Sequence, residues 1–344
     1  MTPFETFRAR FAAWLEHTPL FDGHDLRIDV VFNPHAGAFR NHKRCAALLE
    51  ELLHRQSGLY RSVPARVAVW TTALAGHETA VFQSGESSPG GVRLVIIAGG
   101  DGTSRGTLIS ALRLEEEERK SLIFFRLPLG TGNDAADCRD FGAALDTLLG
   151  TVPRVEPLPV IAIRASGHPT HYSFNIASVG LDAFVAYLTN ALKKRFAGNS
   201  YGLMVNVVAM FYEAFVPMAE TSFELSADGR TVLKWRGVFS LAALGATGRK
   251  TYGGGKRILP DEDNFCLAAV KNPFTKLSYR KPVYVGTHRS LRGIQFAKGD
   301  CLTVESPVRI PLQMDGEVLW MDPENFPLSL SISDLGLRVL KPFG

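Results

Sequence analysis

Three glycines and an aspartate within a six-residue run give the strongest chemical signal in the sequence. The run is Ala98-Gly99-Gly100-Asp101-Gly102-Thr103, which follows an apolar segment at 94–98 and precedes a segment of helical periodicity. Glycine lets the backbone approach a ligand closely, and free N–H groups at a helix start attract anions. The run therefore predicts a phosphate-binding loop, although by itself it also fits an ordinary tight turn. It matches neither the dinucleotide fingerprint nor the P-loop.

A second glycine-rich segment, Gly130-Thr131-Gly132-Asn133-Asp134, follows the next apolar run. Loops that follow neighbouring parallel strands meet at the carboxyl edge of the sheet, where open α/β proteins bind ligands. Loops from two earlier strands are expected at the same edge, so the four together predict a nucleotide site. Asn133 is also expected to cap a following helix. The expected contact residues are Asn33, Pro34, Gly37, Thr72, Gly99, Gly100, Asp101, Gly102, Thr103, Gly130, Thr131 and Asn133.

The elements that must position these loops alternate between strand and helix in the first half of the chain. Apolar runs without alternation indicate strands that are buried on both faces. Strand followed by helix, four times over, predicts a parallel sheet covered by helices, and hence a three-layer α/β domain. The strands are expected at 27–32, 65–70, 94–98 and 122–127, and the helices at 41–56, 77–83, 103–113 and 134–149.

After Pro153 the pattern changes to short alternating strands, separated by turn pairs such as Asp228-Gly229. This pattern indicates a mostly antiparallel β domain of the sandwich type, interrupted by one helical region at 182–215. The expected domains are 1–155 and 156–322, with 323–344 packing back on the first. The strands are expected at 160–164, 221–225, 233–244, 265–270 and 301–305.

Composition narrows the class of protein. The 344 residues are 46% apolar and 21% charged, which is ordinary for a globular chain of about two domains. Four scattered cysteines favour a reducing compartment, and no uncharged apolar run reaches the ~18 residues of a membrane span. Glu5, Arg8 and Arg10 interrupt the N-terminal apolar residues and disagree with a secretory signal. A cytoplasmic protein is therefore expected.

Charge is unevenly spread, because residues 156–322 hold 19 Lys and Arg against 14 Asp and Glu. This excess falls short of the basic stripe of a nucleic-acid-binding protein, but it fits approach to an anionic membrane surface. The basic cluster at 193–195 is the first candidate for that attraction. An N-terminal aromatic stripe is expected to pack against its own domain rather than dock on lipid; it consists of Phe4, Phe7, Phe11 and Trp14.

In their order and spacing, the motifs resemble the diacylglycerol kinase catalytic-domain family, which includes sphingosine, ceramide and bacterial lipid kinases. The resemblance runs from Arg27 to Leu340 and is specific as a combination, since each motif alone is weak. The motifs are Asn33-Pro34-x-x-Gly37 and the segments 72–77, 99–103, 130–134, 175–183, 252–255, 260–265 and 313–317.

The resemblance implies an enzyme that binds ATP with Mg²⁺ in the cleft between its two domains and phosphorylates a lipid hydroxyl. Diacylglycerol is the first acceptor to consider, with phosphatidic acid as product. Asp315 is then the expected base, and Glu317 is expected beside it on one face of a strand. Asp101 is the third expected catalytic residue, and Asp101, Asp263 and Glu317 are the expected magnesium ligands. The implied partner is a lipid at a membrane surface, without nucleic acid, and a homodimer is left open.

Two residues depart from the family pattern. Ala36 stands where serine is common, which removes a hydroxyl that could contact phosphate. Asn264 stands where glycine is usual, and its tolerance of left-handed backbone is expected to preserve the turn. Neither change removes a carboxylate, so an active enzyme is expected.

Other functions stay open on the sequence alone. An NAD kinase also carries a Gly-Gly-Asp-Gly-Thr loop, although the intact 130–134 segment and the late Asp315-Gly316-Glu317 favour a lipid kinase. A catalytically silent lipid- or nucleotide-binding protein on the same fold is the second alternative, and retention of Asp101, Asp315 and Glu317 argues against it. The acceptor lipid is open as well, since an apolar pocket discriminates weakly between acyl chains.

Overall fold

The computed structural model of the protein describes residues 2–56, 59–72, 77–83, 91–130, 133–193, 210–252, 256–270 and 272–342. Contacts divide the chain into two compact units. The first comprises Met1–Leu158 with Asp334–Gly344, and the second comprises Pro159–Ser333. None of the helices in the described part of the chain is long and apolar enough to cross a membrane.

The first unit is built on a parallel sheet in the order β2-β1-β3-β4. Its strands are β1 (Leu26–Phe32), β2 (Arg66–Thr71), β3 (Val92–Ala98) and β4 (Leu122–Arg126). Strands β1 and β4 are buried throughout, and β3 is buried at all but its first residue, whereas the edge strand β2 is half-exposed. The predicted strand–helix alternation and parallel pairing are therefore confirmed.

Helices cover this sheet. They are α1 (Pro3–Leu15), α2 (Gly37–Arg40), α3 (His42–His54), α4 (Ala80–Gln83), α5 (Asp101–Ala111), α6 (Glu116–Ser121) and α7 (Phe141–Leu148). A capping box between Thr2 and Glu5 starts α1. Phe7, Phe11 and Trp14 are buried in the core of the first unit, with Phe4 packed against it. The aromatic stripe therefore packs against its own unit, as predicted.

Helix α7 begins at Phe141, not at residue 134. Asp140 is its N-cap, because the Asp140 side chain accepts a hydrogen bond from Ala143 N at 2.8 Å. Asn133 has a left-handed φ of +57°, which is incompatible with starting a helix at the next residue. The expectation that Asn133 caps a helix is therefore wrong.

The second unit is mostly antiparallel. One six-stranded sheet has the order β14-β13-β10-β7-β16-β17, and a second group pairs as β18-β15-β8-β9. Residues of both sheets share one apolar core that includes Phe223, Leu244 and Phe265, which is the arrangement of a sandwich. The elements are β5 (Arg154–Arg164), β6 (His171–Ser173), β7 (Ile176–Gly180), α8 (Leu181–Lys193), β8 (Thr221–Ala227), β9 (Arg230–Gly237), β10 (Leu241–Gly245), β11 (Lys250–Tyr252), β12 (Lys256–Leu259), β13 (Phe265–Ala268), α9 (Pro273–Val285), β14 (Ile294–Ala297), β15 (Cys301–Glu305), β16 (Ile310–Met314), β17 (Glu317–Met321) and β18 (Leu328–Lys341).

Three features of the second unit differ from the predicted pattern. The strand expected at 233–244 is two strands, β9 and β10. Helix α9, which contains Pro282, was not predicted. In the closing strand β18, residues Leu328–Ser331 pair with β15, whereas Arg338 and Val339 pair with β4.

Candidate active site

The loop after β1 is joined to the start of α5. Asn33 N donates to Ala98 O at 3.1 Å, and Asn33 Nδ2 donates to Thr103 Oγ1 at 2.8 Å. Asn33 Oδ1 accepts from His35 N at 2.9 Å, so one side chain fixes both its own turn and the helix start. Strands β1 and β3 are adjacent in the order β2-β1-β3-β4, which makes this edge the topological switch point of the sheet.

The two glycine-rich loops pack backbone against backbone. A Cβ on Gly130 would lie 2.8 Å from Gly100 Cα, and a Cβ on Gly99 would lie 2.6 Å from Thr103 Cβ. Packing therefore requires glycine at 99 and 130. A Cβ on Gly102 would meet no atom of the described residues within 4 Å. Gly102 thus borders open space in the first turn of α5, where a ligand phosphate can approach.

Three polar side chains lie around these loops. Asp101 Oδ1 accepts from Ala135 N at 3.1 Å, which joins the first glycine loop to the second. Asn133 Oδ1 is buried and has no hydrogen-bond partner among the residues that the structure describes. Arg44, in the first turn of α3, donates to Gly130 O at 3.3 Å. Sequence reasoning missed Arg44, although a basic residue soon after the first loop was a usable signal.

The remaining predicted nucleotide contacts lie at the ends of the same strands. Thr72 N and Oγ1 both lie within hydrogen-bond distance of Phe32 O, at 2.8 and 3.3 Å. Pro34 lies in the turn after β1, and Gly37 begins α2. Thr131 falls outside the described residues, as does the 73–76 part of the expected threonine motif. The structure thus gathers the described members of the predicted set at one edge of the sheet.

A buried ion cluster fixes the segment that follows β4. Both carboxylate oxygens of Asp137 contact the Arg126 guanidinium, and Lys341 Nζ lies 3.0 Å from Oδ1. The backbone N–H of Arg126 donates to Asp137 Oδ2 at 2.8 Å. Burial by itself would raise the pKa of Asp137, but the Arg126 and Lys341 charges outweigh it and hold the pKa below its ordinary value.

In the second unit, Asp315 and Gly316 are the two-residue loop of the β16–β17 hairpin. Their φ angles of +51° and +92° suit a tight hairpin turn. The Asp315 carboxylate accepts four hydrogen bonds from the segment 173–176. Oδ1 accepts from Ser173 Oγ at 2.9 Å, Asn175 N at 3.0 Å and Ile176 N at 3.1 Å, and Oδ2 accepts from Phe174 N at 2.6 Å.

This distribution leaves the two oxygens of Asp315 unequal. A carboxylate offers about two lone-pair positions on each oxygen. Oδ1 is saturated by three donors, whereas Oδ2 has one donor among the described residues. Oδ2 is therefore the atom that can take a proton or contact a ligand.

Glu317 and Asp263, which were expected to act together with Asp315, lie in other surroundings. Glu317 is exposed at the start of β17, while Asp315 lies in the hairpin loop, so the two do not share a strand face. That expectation is wrong because the positive φ angles of Asp315 and Gly316 end the strand before Glu317. Asp263 is paired with Arg289 Nη1 at 2.5 Å.

The expected magnesium ligands can now be compared with these positions. No cluster of three or more His, Cys, Asp or Glu side chains fits a metal ion within the described ranges. Mg²⁺ is usually bound by one or two carboxylates, with phosphate oxygens and water completing its shell. Asp101 lies beside the open space at Gly102 and can supply one such carboxylate.

Asn264 keeps its turn by a different means from the one expected. Its φ is not left-handed. Instead, its buried amide forms hydrogen bonds with both the O and the N of Gly299, at 2.8 and 3.0 Å. The side chain thus fastens the start of β13 to the turn before β15.

A cavity of ≈ 230 Å³ that is partly open to solvent lies in the second unit, lined by residues of α8, α9, β10, β12, β13 and β14. Its lining is dominated by apolar side chains, and burial raises the pKa of Cys266 in its wall to about 12. Asp182 is the only acidic residue among its described lining residues. Ser178 Oγ donates to Asp182 Oδ2 at 2.8 Å.

The position of Asp182 follows from the β7–α8 junction. Gly180 has φ +91°, and a Cβ there would lie 2.5 Å from Ser240 O, so only glycine allows the strand to turn directly into the helix. Burial raises the pKa of Asp182, opposed by Lys256 and by the Ser178 hydroxyl. Sequence reasoning missed Asp182, although an acidic residue in the first turn of an apolar helix was a signal.

Comparison with known proteins agrees with this geometry. The diacylglycerol kinase catalytic domain matches residues 27–163, the part of the chain that holds β1–β4 and their loops. Over these residues the chain resembles the diacylglycerol kinase catalytic-domain family. Within that family's pattern, the matched region contains the predicted phosphate-binding loops.

The relatives are bacterial. A protein of Xanthomonas euvesicatoria named "Probable lipid kinase YegS-like" is 32% identical over 180 residues, which are 52% of this chain and 54% of that protein. The chain thus spans about half the length of this relative. A protein of the same name from Chromohalobacter salexigens is 28% identical over 286 residues, 77% of this chain and 85% of that protein. A diacylglycerol kinase structure from Bacillus anthracis shares the fold, with a TM-score of 0.57 at 15% identity, covering 92% of this chain and 97% of that one.

Proposed function

We propose that this protein is a lipid kinase that transfers the γ-phosphoryl group of ATP to a lipid hydroxyl, with diacylglycerol as acceptor and phosphatidic acid as product. The observation that carries the proposal is the largely apolar cavity of the second unit. Alkyl chains fit an apolar lining.

The first unit supports the ATP half of the proposal. Gly102 offers open space in the first turn of α5, whose N-cap Gly100 provides no side-chain cap for the N–H groups there. Phosphate oxygens are suitable acceptors for those groups. Asn133 Oδ1 is buried and has no partner among the described residues, so it provides an acceptor for a nucleotide N–H or hydroxyl group.

Asp101 is the residue that would hold Mg²⁺ on this side. When bound, the ion neutralises charge on the phosphate oxygens. Asp101 is itself oriented by Ala135 N, so its carboxylate is fixed relative to both glycine loops. A carboxylate in a phosphate-binding loop is otherwise unfavourable, since it would repel the nucleotide.

The proposed transfer requires a base at the acceptor hydroxyl. The hydroxyl oxygen bonds to the γ-phosphorus, the bond from that phosphorus to the bridging oxygen of ADP breaks, and the hydroxyl proton passes to Asp315 Oδ2. Oδ2 suits this role because it retains an acceptor position. The four hydrogen bonds from 173–176 fix the carboxylate, which lowers the cost of orienting it for the reaction.

Filling the cavity tests the proposal. Ala268→Phe places a ring in the cavity wall, and we expect the KM for diacylglycerol to rise about tenfold or more while the KM for ATP stays unchanged. Ala227→Phe is the matched control, because Ala227 is a partly buried alanine of the same unit that does not line the cavity. If Ala268→Phe left the lipid KM at the wild-type value, the cavity would not be the acceptor site.

A further inference from the structure

Helix α9 has an exposed apolar face. Four large apolar residues at helical spacing are exposed, at 78% for Phe274, 49% for Leu277, 38% for Tyr284 and 52% for Val285. With the exposed Lys281 between them, they form what is called here the outer face of α9. Leu277 and Tyr284 of this face also line the cavity, together with Tyr279 and Val283, whereas Phe274 and Val285 do not. A soluble helix normally buries one apolar face and solvates the other, so this exposure indicates a binding surface.

The charges of α9 identify the kind of surface that would cover it. Lys281 and Arg280 are exposed, and the helix contains no acidic residue. Lys276 is neutralised by an ion pair with Glu213, which ties α9 to the neighbouring segment 211–215. That segment exposes two more aromatic residues, Phe211 and Phe215. Aromatic and aliphatic side chains mixed with Lys and Arg are suited to the interface of an anionic bilayer.

A second copy of the chain fits this face less well. A symmetric dimer pairs the same patch on both subunits, so two such helices would bring their basic residues together without acidic partners. An anionic bilayer supplies the opposite charge and an apolar layer at once. Charge complementarity therefore favours the membrane.

We propose that the outer face of α9 inserts into the interfacial layer of an anionic membrane, so that the acceptor cavity lies behind a membrane-bound helix. The proposal rests on the proposed function, because the cavity is taken to receive a lipid. It gives the basic second half of the sequence a defined surface. The basic cluster at 193–195, the first candidate from the sequence, cannot be placed on a surface in the same way, since residues 194 and 195 lie outside the described part of the chain.

Vesicle sedimentation tests the proposal. The double variant Phe274→Ser/Val285→Ser changes two outer-face residues that do not line the cavity, and Val232→Ser is the control, an exposed valine on β9. On vesicles of phosphatidylcholine with phosphatidylglycerol, we expect the double variant to partition at least about tenfold more weakly than wild type. Lys281→Glu should weaken partitioning about fivefold or more at low salt, and Lys298→Glu, at an exposed turn, much less.

Activity assays separate failure of this inference from failure of the proposed function. On a short-chain diacylglycerol dispersed as monomers, the double variant should match wild type, whereas on vesicles containing long-chain diacylglycerol it should be slower. Wild-type partitioning of the double variant would overturn the inference, as would a wild-type protein that ignores anionic vesicles. A dimer that the double variant converts to monomers would also overturn it. If no lipid were phosphorylated even as monomers, the proposed function would fail instead, whatever the vesicles showed.

Discussion

Asp315 has a backbone conformation that forms a turn and a carboxylate that accepts four hydrogen bonds. Its left-handed φ sets the β16–β17 hairpin, and its oxygens fix the backbone of 173–176. Partly buried charged acceptors with several donors hold the surrounding loops in one geometry. The same residue therefore organises the local structure and, in the proposed reaction, accepts the proton.

Replacing Asp315 with asparagine should affect both roles. We expect turnover to fall by ~10²-fold or more, since general-base assistance contributes ~10²–10⁴. The Nδ2 group must also face at least one former donor, so the free energy of unfolding should fall by about 1–3 kcal/mol. Steady-state kinetics and urea unfolding measure the two effects.

The control for this variant is Asp228→Asn. Asp228 precedes Gly229 in a hairpin loop of the same kind, with the same φ of +51°, but it is exposed. It should leave both turnover and unfolding near wild type. If Asp315→Asn lost stability but kept wild-type turnover at a temperature where it is folded, Asp315 would be structural only.

Gly102 separates ligand binding from folding. Because a Cβ there meets no described atom within 4 Å, Gly102→Leu should fold normally and gain a few tenths of a kcal/mol or more from lower unfolded-state entropy. If the ATP phosphates lie over this turn, the KM for ATP should rise at least about tenfold while the KM for lipid stays constant. An unchanged KM for ATP would move the phosphates away from α5.

At the scale of elements, the ion cluster of Arg126, Asp137 and Lys341 fixes the connection between β4 and α7. Asp137→Asn should lower the free energy of unfolding at pH 7 by about 3–5 kcal/mol, because it leaves buried positive charge unpaired. The pKa of Asp137 is lower in the folded chain than its ordinary value of 3.8. Its contribution is therefore fully present above pH 3.8 and is lost as the pH falls through the folded-state pKa.

Urea titrations across the acid range check this sign. The stability difference between wild type and Asp137→Asn should be constant from neutral pH down to about pH 5 and shrink below pH 3.8. A difference that grew on acidification would contradict the assignment of Asp137 as an ionised, paired group.

The parallel sheet and its glycine loops were predictable, since apolar runs of strand length and the glycines that follow them are local signals. Helix α9 was missed, although the Asn272-Pro273 start and the left-handed Gly286 were signals of its two ends. The start of α7 was misplaced because Asn133 and Asp140 are both residue types that cap helices. The choice between them depends on the contact of Asp137 with Arg126, which local sequence does not reveal.

The cavity of the second unit could not be predicted from the sequence for a different reason. Its walls come from α8, α9 and four strands that are far apart in sequence. That Asp182 lines a cavity is visible only once these elements are packed together. Likewise, the number of donors on Asp315 depends on a segment about 140 residues earlier in the chain.

At the scale of the whole molecule, the proposal assigns nucleotide binding to one unit and lipid binding to the other. The α/β unit carries the glycine loops, Asp101 and Asn133 for the nucleotide. The β unit carries Asp315, the apolar cavity with Asp182, and the outer face of α9 for the lipid. This division predicts that nucleotide and lipid affinities respond to different sets of substitutions, with Gly102→Leu and Ala268→Phe as the two extremes.

The most direct measurement is phosphoryl transfer itself. The protein is incubated with ATP labelled in the γ-phosphate, Mg²⁺ and, in separate reactions, diacylglycerol, sphingosine, ceramide, monoacylglycerol, phosphatidylglycerol or NAD. The account predicts that label moves to diacylglycerol and that mass spectrometry identifies the product as phosphatidic acid, with ~10²-fold less label from Asp315→Asn. Label on NAD alone, or bound ATP with no phosphorylated acceptor in any reaction, would contradict it.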